Sequence, residues 1–162
     1  MHFLFPRSMA KKLLILLVAV VFSTTLSLAQ SDDFGLRIGA GPNRSGEIGL
    51  SWHKALGKYR LETDLGWATC DKWDYINLSV AFHWYWNLKN GVAWYVGPGI
   101  NMGWYFRDAQ FGLGPGFQIG IEYNFKIPIQ LSIDIFPRYN ILGEDDARGL
   151  GGSGGLSIRY RF

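Results

Sequence analysis

The feature that most constrains this chain is a period of two. From Phe34 to Phe162, apolar side chains occupy every second position in one segment after another. That is the repeat of a β-strand with one face in an apolar setting, whereas a helix repeats near 3.6. Eight segments follow the rule. They begin with Phe34 to Ala40, Ile48 to Trp52, Tyr59 to Trp67 and Ile76 to Trp86, and continue with Val92 to Trp104, Leu113 to Phe125, Ile129 to Tyr139 and Leu156 to Phe162. Of these, the stretch from Ile48 to Trp52 is short for a spanning strand.

The intervening positions form another face that is small, polar or charged. It carries Arg37, Glu47, His53, Arg60, Glu62, Asp64, Asn77, Ser79, His83, Asn101, Gln118, Glu122, Gln130, Ser132, Asp134, Arg138, Ser157, Arg159 and Arg161, with glycines such as Gly35, Gly99, Gly116 and Gly120 in the same phase. Volume decides which face is inside. An eight-stranded barrel is just wide enough to be filled by its inward side chains, and an apolar set rich in Trp, Tyr and Phe cannot fit there. The glycine-rich polar set can. The expected fold is therefore all-β: an eight-stranded antiparallel up-and-down transmembrane β-barrel, apolar outside and polar inside. Closure is required, because hydrocarbon does not tolerate unpaired backbone edges, so the first and last segments should pair.

The connections alternate in character. Lys54-Ala55-Leu56-Gly57, Leu88-Lys89-Asn90-Gly91 and Lys126-Ile127-Pro128 read as tight turns. Residues 41–46, 69–74, 105–110 and 140–153 read as longer loops, the last holding the acidic run Glu144-Asp145-Asp146. With the N-terminus in the periplasm, the tight turns lie there and the loops outside. Trp52, Tyr59, Trp84, Trp86, Trp94, Tyr123, Phe125, Tyr160 and Phe162 fall near the tight-turn end, and Trp67, Trp104 and Tyr139 near the other. Two such girdles suit headgroup depths.

Ahead of the repeat, Lys11 and Lys12 precede an apolar run, Leu13 to Phe22, and Ser27-Leu28-Ala29 supplies small residues at a cleavable spacing. The expected organisation is a signal peptide over residues 1–29 and one barrel domain over 30–162. Met9 opens a more typical signal than Met1. The sole cysteine, Cys70, cannot form an internal disulfide.

With these residues in view the mature chain resembles the small outer-membrane barrels of the OmpA and OmpX type, and more closely the outer-membrane β-barrel domain proteins of Bacteroidota. The likeness rests on the signal ending Ala29-Gln30, the strand Tyr95 to Asn101, the strand Ile133 to Tyr139, and the final Ile158-Arg159-Tyr160-Arg161-Phe162. The resemblance implies residence in the outer membrane of the cell and contact with its lipid and lipopolysaccharide. It also implies a monomer, and recognition of Ile158, Tyr160 and Phe162 by the barrel-assembly machinery. It implies no activity.

The inward charges are expected to neutralise one another. Acids Glu47, Glu62, Asp64, Glu122 and Asp134 share a narrow space with Arg37, Arg60, Arg138, Arg159 and Arg161. Counting levels along the strands, Asp134 should meet Arg37, and Glu122 an arginine of the last strand. The same charges could instead line a narrow ion path, although aqueous channels belong to barrels of about sixteen strands. A lipid A-modifying enzyme is a further alternative, resting on the same-face pairs Ser51 with His53 and Ser79 with His83; structural hydrogen-bonding histidines are favoured. Three His and one Cys without ligand spacing give no metal site, and no cofactor is expected. Gly151 to Gly155 lacks the Lys-Ser/Thr and helix of a phosphate loop and reads as a flexible loop entering the last strand. No basic cluster outside the barrel suggests nucleic acid. Trp73, Tyr105, Phe106, Arg107 and Phe111, with their mixed aromatic and charged surroundings, are the candidates for recognising an extracellular ligand.

Overall fold

The computed structural model describes residues 32–40, 46–70, 73–106, 110–142 and 149–162. The expected signal segment, residues 1–29, lies outside them. Eight strands follow in chain order: β1 (Asp32–Ala40), β2 (Gly46–Leu56), β3 (Tyr59–Cys70), β4 (Trp73–Asn87), β5 (Val92–Tyr105), β6 (Gln110–Asn124), β7 (Ile129–Asn140) and β8 (Gly149–Arg161). Each pairs antiparallel with its sequence neighbours, and β8 returns to β1 to close the barrel. The closing seam sets Gly35 opposite Arg159 and Arg37 opposite Ser157.

Side-chain exposure follows the two-residue period. Ile38, Trp67 and Ile133 face outward, 55–60% exposed. Every polar residue assigned above to the inward face is buried, Arg161 excepted. In water the outward surface would be an apolar patch far beyond the few hundred Å² a soluble monomer carries. Strands of 9 to 15 residues meet or exceed what a tilted strand needs to cross hydrocarbon.

Two tight turns have the backbone their residues favour. Lys89 accepts from Val92 N–H across Asn90 and Gly91, whose φ values of 60° and 82° are both left-handed. That is the type I′ geometry for which Asn-Gly is preferred. Between β2 and β3, Gly57 takes φ 67°, as the first position of a two-residue type II′ turn asks. The segment around Ile48 to Trp52 is therefore not short: β2 has eleven residues and runs through Lys54, Ala55 and Leu56, which the sequence suggests as a turn.

The strands also extend further toward the opposite end, the loop rim, than the side-chain pattern indicates. β3 and β4 leave only residues 71–72 between them, so Trp73 begins a strand. Gly149 to Ser153 are paired with β7, from Asn140 to Phe136, rather than forming a loop. Glycines carry no alternation to read, but their backbones complete the ladder as well as any others.

Candidate functional site

The inward face is the candidate site, and its centre is a set of ion pairs that reach across the lumen. Arg37 on β1 donates to both oxygens of Asp134 on β7, Nη1 to Oδ2 at 2.6 Å and Nη2 to Oδ1 at 2.7 Å. The expected pair thus forms, and in the bidentate arrangement that gives an arginine–carboxylate bond its directionality. Asp64 Oδ2 lies 3.9 Å from Arg37 Nε, and the Tyr95 hydroxyl donates to Asp134 at 3.3 Å.

Arg159 on β8 and Glu62 on β3 form the next centre. Arg159 Nη2 donates to Glu62 Oε1 at 2.7 Å, and the remaining donors go to Ser51 at 2.7 and 2.9 Å, Ser132 at 2.6 Å and Gln130 at 3.2 Å. The other Glu62 oxygen is approached by His53 Nε2 at 2.9 Å and His83 Nδ1 at 3.6 Å. A carboxylate buried this deeply needs partners for both oxygens, and here it faces one guanidinium and two imidazoles.

The third centre corrects the sequence reading. Glu122 does not pair with an arginine of the last strand; it accepts from Arg60 Nη1, on β3, at 2.5 Å. Tyr85, Gln130 and Asn124 also donate to it, at 2.6, 2.9 and 3.0 Å. The reason lies in the stagger of a closed sheet. Following the paired positions from Glu122 leads to Ser132, Ser157 and Arg37, so levels counted from strand ends are not heights along the barrel axis. Arg60 in turn stands over the rings of Tyr95 and Tyr85, 4.4 and 4.8 Å from their centroids, a favourable position for a cation.

Three residues expected in the network stand apart from it. Arg161, half-buried at the tight-turn rim, binds the carbonyls of Phe125 and Ile127 at 2.8 and 3.2 Å and Asn124 Oδ1 at 3.3 Å. Glu47 accepts from the Tyr75 hydroxyl at 3.0 Å. Arg138 is buried near the loop rim, and no carboxylate among the described residues comes within 4.0 Å of it.

Large inward aromatics complete the filling. Tyr75, Tyr95 and Phe136 are buried, and the Tyr95 ring packs on His83 with centroids 4.6 Å apart. They are absent from the polar inward set read from the sequence, although the alternation that sends Trp94 and Val96 outward sends Tyr95 inward. Asn101 donates to Asn77 nearby.

The serine–histidine pairs are not assembled for nucleophilic attack. Ser51 Oγ accepts from Arg159, and His53 faces Glu62. Ser79 and His83 are four residues apart on one strand, a separation of roughly 13 Å at the usual strand rise, and His83 Nε2 is engaged with Gln118 Oε1 at 3.1 Å. Among the described residues no three His, Cys, Asp or Glu side chains are grouped to hold a metal ion.

The loop candidates divide. Arg107 and the side chain of Trp73 lie outside the described residues. Phe106 and Phe111 are exposed, the latter beside outward Trp104 with centroids 6.3 Å apart. Tyr105 instead stacks on Tyr75, at 5.3 Å and 23°, which places its ring inside the mouth of the barrel. Tyr105 and Phe111 therefore serve opposite faces of the wall.

Among solved structures the chain is similar to the N-terminal β-barrel domain of Pseudomonas aeruginosa OprF, with a TM-score of 0.66 at 16% identity, covering 82% of this chain and 97% of that one. Neisserial surface protein A gives 0.64 at 14% identity, over 82% and 97%. A major outer membrane protein from Thermus thermophilus gives 0.51 at 15%, over 83% and 100%. No family model matches the chain, and no curated protein matches it. The shared feature is the fold: that of small outer-membrane β-barrels, eight strands, antiparallel and closed.

Proposed function

We propose that this chain is an integral protein of a Gram-negative outer membrane whose lumen is plugged by its own charges, and which serves the envelope as a structural barrel. The observation that carries the reading is the trio of cross-lumen ion pairs: Arg37–Asp134, Arg159–Glu62 and Arg60–Glu122. The latter two each join strands three places apart around the barrel, and Tyr95 and Phe136 fill space between them. This filling supports a closed interior over a narrow pore. The engagement of Ser51 by Arg159 supports a structural role over a lipid A-modifying enzyme. Reconstituted into a planar bilayer, the protein should give no steady conductance; a reproducible open level in the native chain would sink the proposal.

A further role, surface recognition or adhesion at the loop rim, draws support from the exposed rings of Trp104, Phe106 and Phe111. Grafting residues 105–110 and 140–153 onto an inert barrel tests it, and failure to transfer any binding to cells or matrix removes it. In either role the cleaved segment 1–29 directs export. The outer face meets lipid and lipopolysaccharide as a monomer, and the outward Ile158, Tyr160 and Phe162 of the last strand are what the assembly machinery reads.

A further inference from the structure

The cations of this chain divide by type. Among the described residues every arginine belongs to the inward face of the wall, and every lysine lies at the tight-turn rim. Lys54 precedes the β2–β3 turn and Lys58 is in it, Lys89 is in the β4–β5 turn, and Lys126 is in the β6–β7 turn. Lys54 is half-buried and the other three are exposed, and none lies within 4.0 Å of a described carboxylate. Residues 54–58, 88–91 and 125–128 contain no acid. Of the described acids at this end, Asp33 faces inward, 3.8 Å from His53 and 3.4 Å from Gln130. Asp32, which shares the face of Phe34 and stands across the ladder from Lys54, is the other. The rim therefore presents more positive than negative charge.

Each of these turns also carries an exposed apolar side chain within two residues of its lysine: Leu56, Leu88 and Ile127. Outward rings come next along the wall. The Lys58 ammonium stands 5.3 Å from the centroid of Tyr59, which packs on Phe82 at 5.2 Å. Lys89 belongs to the turn that joins the strands of Trp86 and Trp94, whose rings stack at 4.5 Å and 16°. Lys126 follows Phe125, and the Phe125 ring meets Tyr123 edge-on at 4.7 Å. Cation, exposed apolar tip and ring thus recur together at three separate turns. That grouping suits a boundary where hydrocarbon gives way to charged headgroups, with the rings below it and the lysine stems bent toward the phosphates.

We infer that the tight-turn rim is a binding surface for anionic phospholipids, those whose phosphodiester carries no compensating amine, with the phosphates held by Lys54, Lys58, Lys89 and Lys126. The inference rests on the reading of this chain as a membrane-spanning barrel and is independent of whether its lumen is plugged. A soluble polyanion is the less suitable partner, because it would leave Leu56, Leu88 and Ile127 in water, whereas a lipid covers them with the same molecule that meets the lysines. The choice of lysine agrees: a hydrated point charge on a flexible stem follows a mobile headgroup layer, while the rigid fork of arginine suits the fixed pairs of the lumen.

The test is quenching of tryptophan fluorescence in the full chain, reconstituted in vesicles of phosphatidylcholine mixed with phosphatidylglycerol, with a bromine label on the acyl chain of one lipid or the other. Excess quenching by labelled phosphatidylglycerol is expected at low ionic strength, corresponding to a preference of about fivefold for each lysine-held lipid, and it should fall as salt is added. In the quadruple variant Lys54→Gln, Lys58→Gln, Lys89→Gln, Lys126→Gln the two lipids should quench nearly alike. Equal quenching in the native chain, or an unchanged preference in the variant, overturns the inference. Should the variant fail to fold, the native chain alone decides, and a preference that salt does not reduce overturns it. A chain that inserts without preference defeats this inference only; one that inserts into neither lipid defeats the membrane-spanning reading beneath it as well. Lysine-dependent binding of soluble polyglutamate by the detergent-solubilised chain, without lipid preference in vesicles, assigns the rim to a polymer and likewise overturns the inference.

Discussion

Phe136 lies over Gly99 so closely that a β-carbon on the glycine would stand 2.8 Å from the ring's Cε2, and 2.7 Å from the Val80 carbonyl oxygen. One residue is therefore small because another, on a strand not adjacent to it, is large. Gly99→Ala should destabilise the barrel by about 1–3 kcal/mol, the usual cost of overpacking. In a Phe136→Ala background the penalty should shrink, although the Val80 carbonyl keeps it above zero. Urea unfolding in lipid vesicles would measure both; equal penalties in the two backgrounds would show that the ring does not govern the site.

The outward face offers a sharper test of solvent. Ile133 stands at mid-strand on β7, fully on the outer surface. In a bilayer Ile133→Arg should cost about 2–4 kcal/mol, while the same change at Phe125, beside the tight-turn rim, should cost about 0–1. A depth-independent penalty would contradict a lipid-facing wall.

Within the lumen, Glu62→Gln leaves the buried Arg159 facing a neutral amide. Removing one member of a buried pair typically costs about 3–5 kcal/mol, and that loss is expected here. The double variant Glu62→Gln, Arg159→Met should be less damaged than the sum of the two singles. Additive unfolding energies would mean that Ser51, Ser132 and Gln130 hold the arginine without help from the carboxylate.

At the turn between β4 and β5, Gly91 combines φ 82° with close approach to the Asn124 carbonyl. Gly91→Ala should destabilise by about 1–3 kcal/mol, whereas Lys89→Ala beside it should be near neutral. Heat-modified gel mobility after refolding reads both, and a fully refolding G91A would show that the left-handed backbone of this turn does not require glycine.

How far the sequence reaches depends on what kind of information each residue carries. Alternation reports faces, so Arg37, Asp134, Ser132 and Arg159 can be placed inward one by one, and the same phase places Tyr95 there too. Heights around a tilted, staggered sheet are not local, and Glu122 shows the consequence: its partner is Arg60 on β3, whereas level counting points to β8. Strand ends are illegible where side chains stop alternating. Gly149 to Ser153 give no pattern, and polar neighbours separate Trp73 from the rest of its strand, although the backbone continues to pair in both places. The split between Tyr105 and Phe111 follows from the same extension, because a residue read as loop has no assigned face until its strand is known to reach it.

The seam between β1 and β8 joins the first described strand to the last described one. Until Gly35 finds Arg159 and Arg37 finds Ser157, two rows of amide and carbonyl groups have no mates, and oil offers them none. The half-built sheet is thus unwelcome in the bilayer at every stage short of the end. Insertion and ring completion must then be nearly a single event.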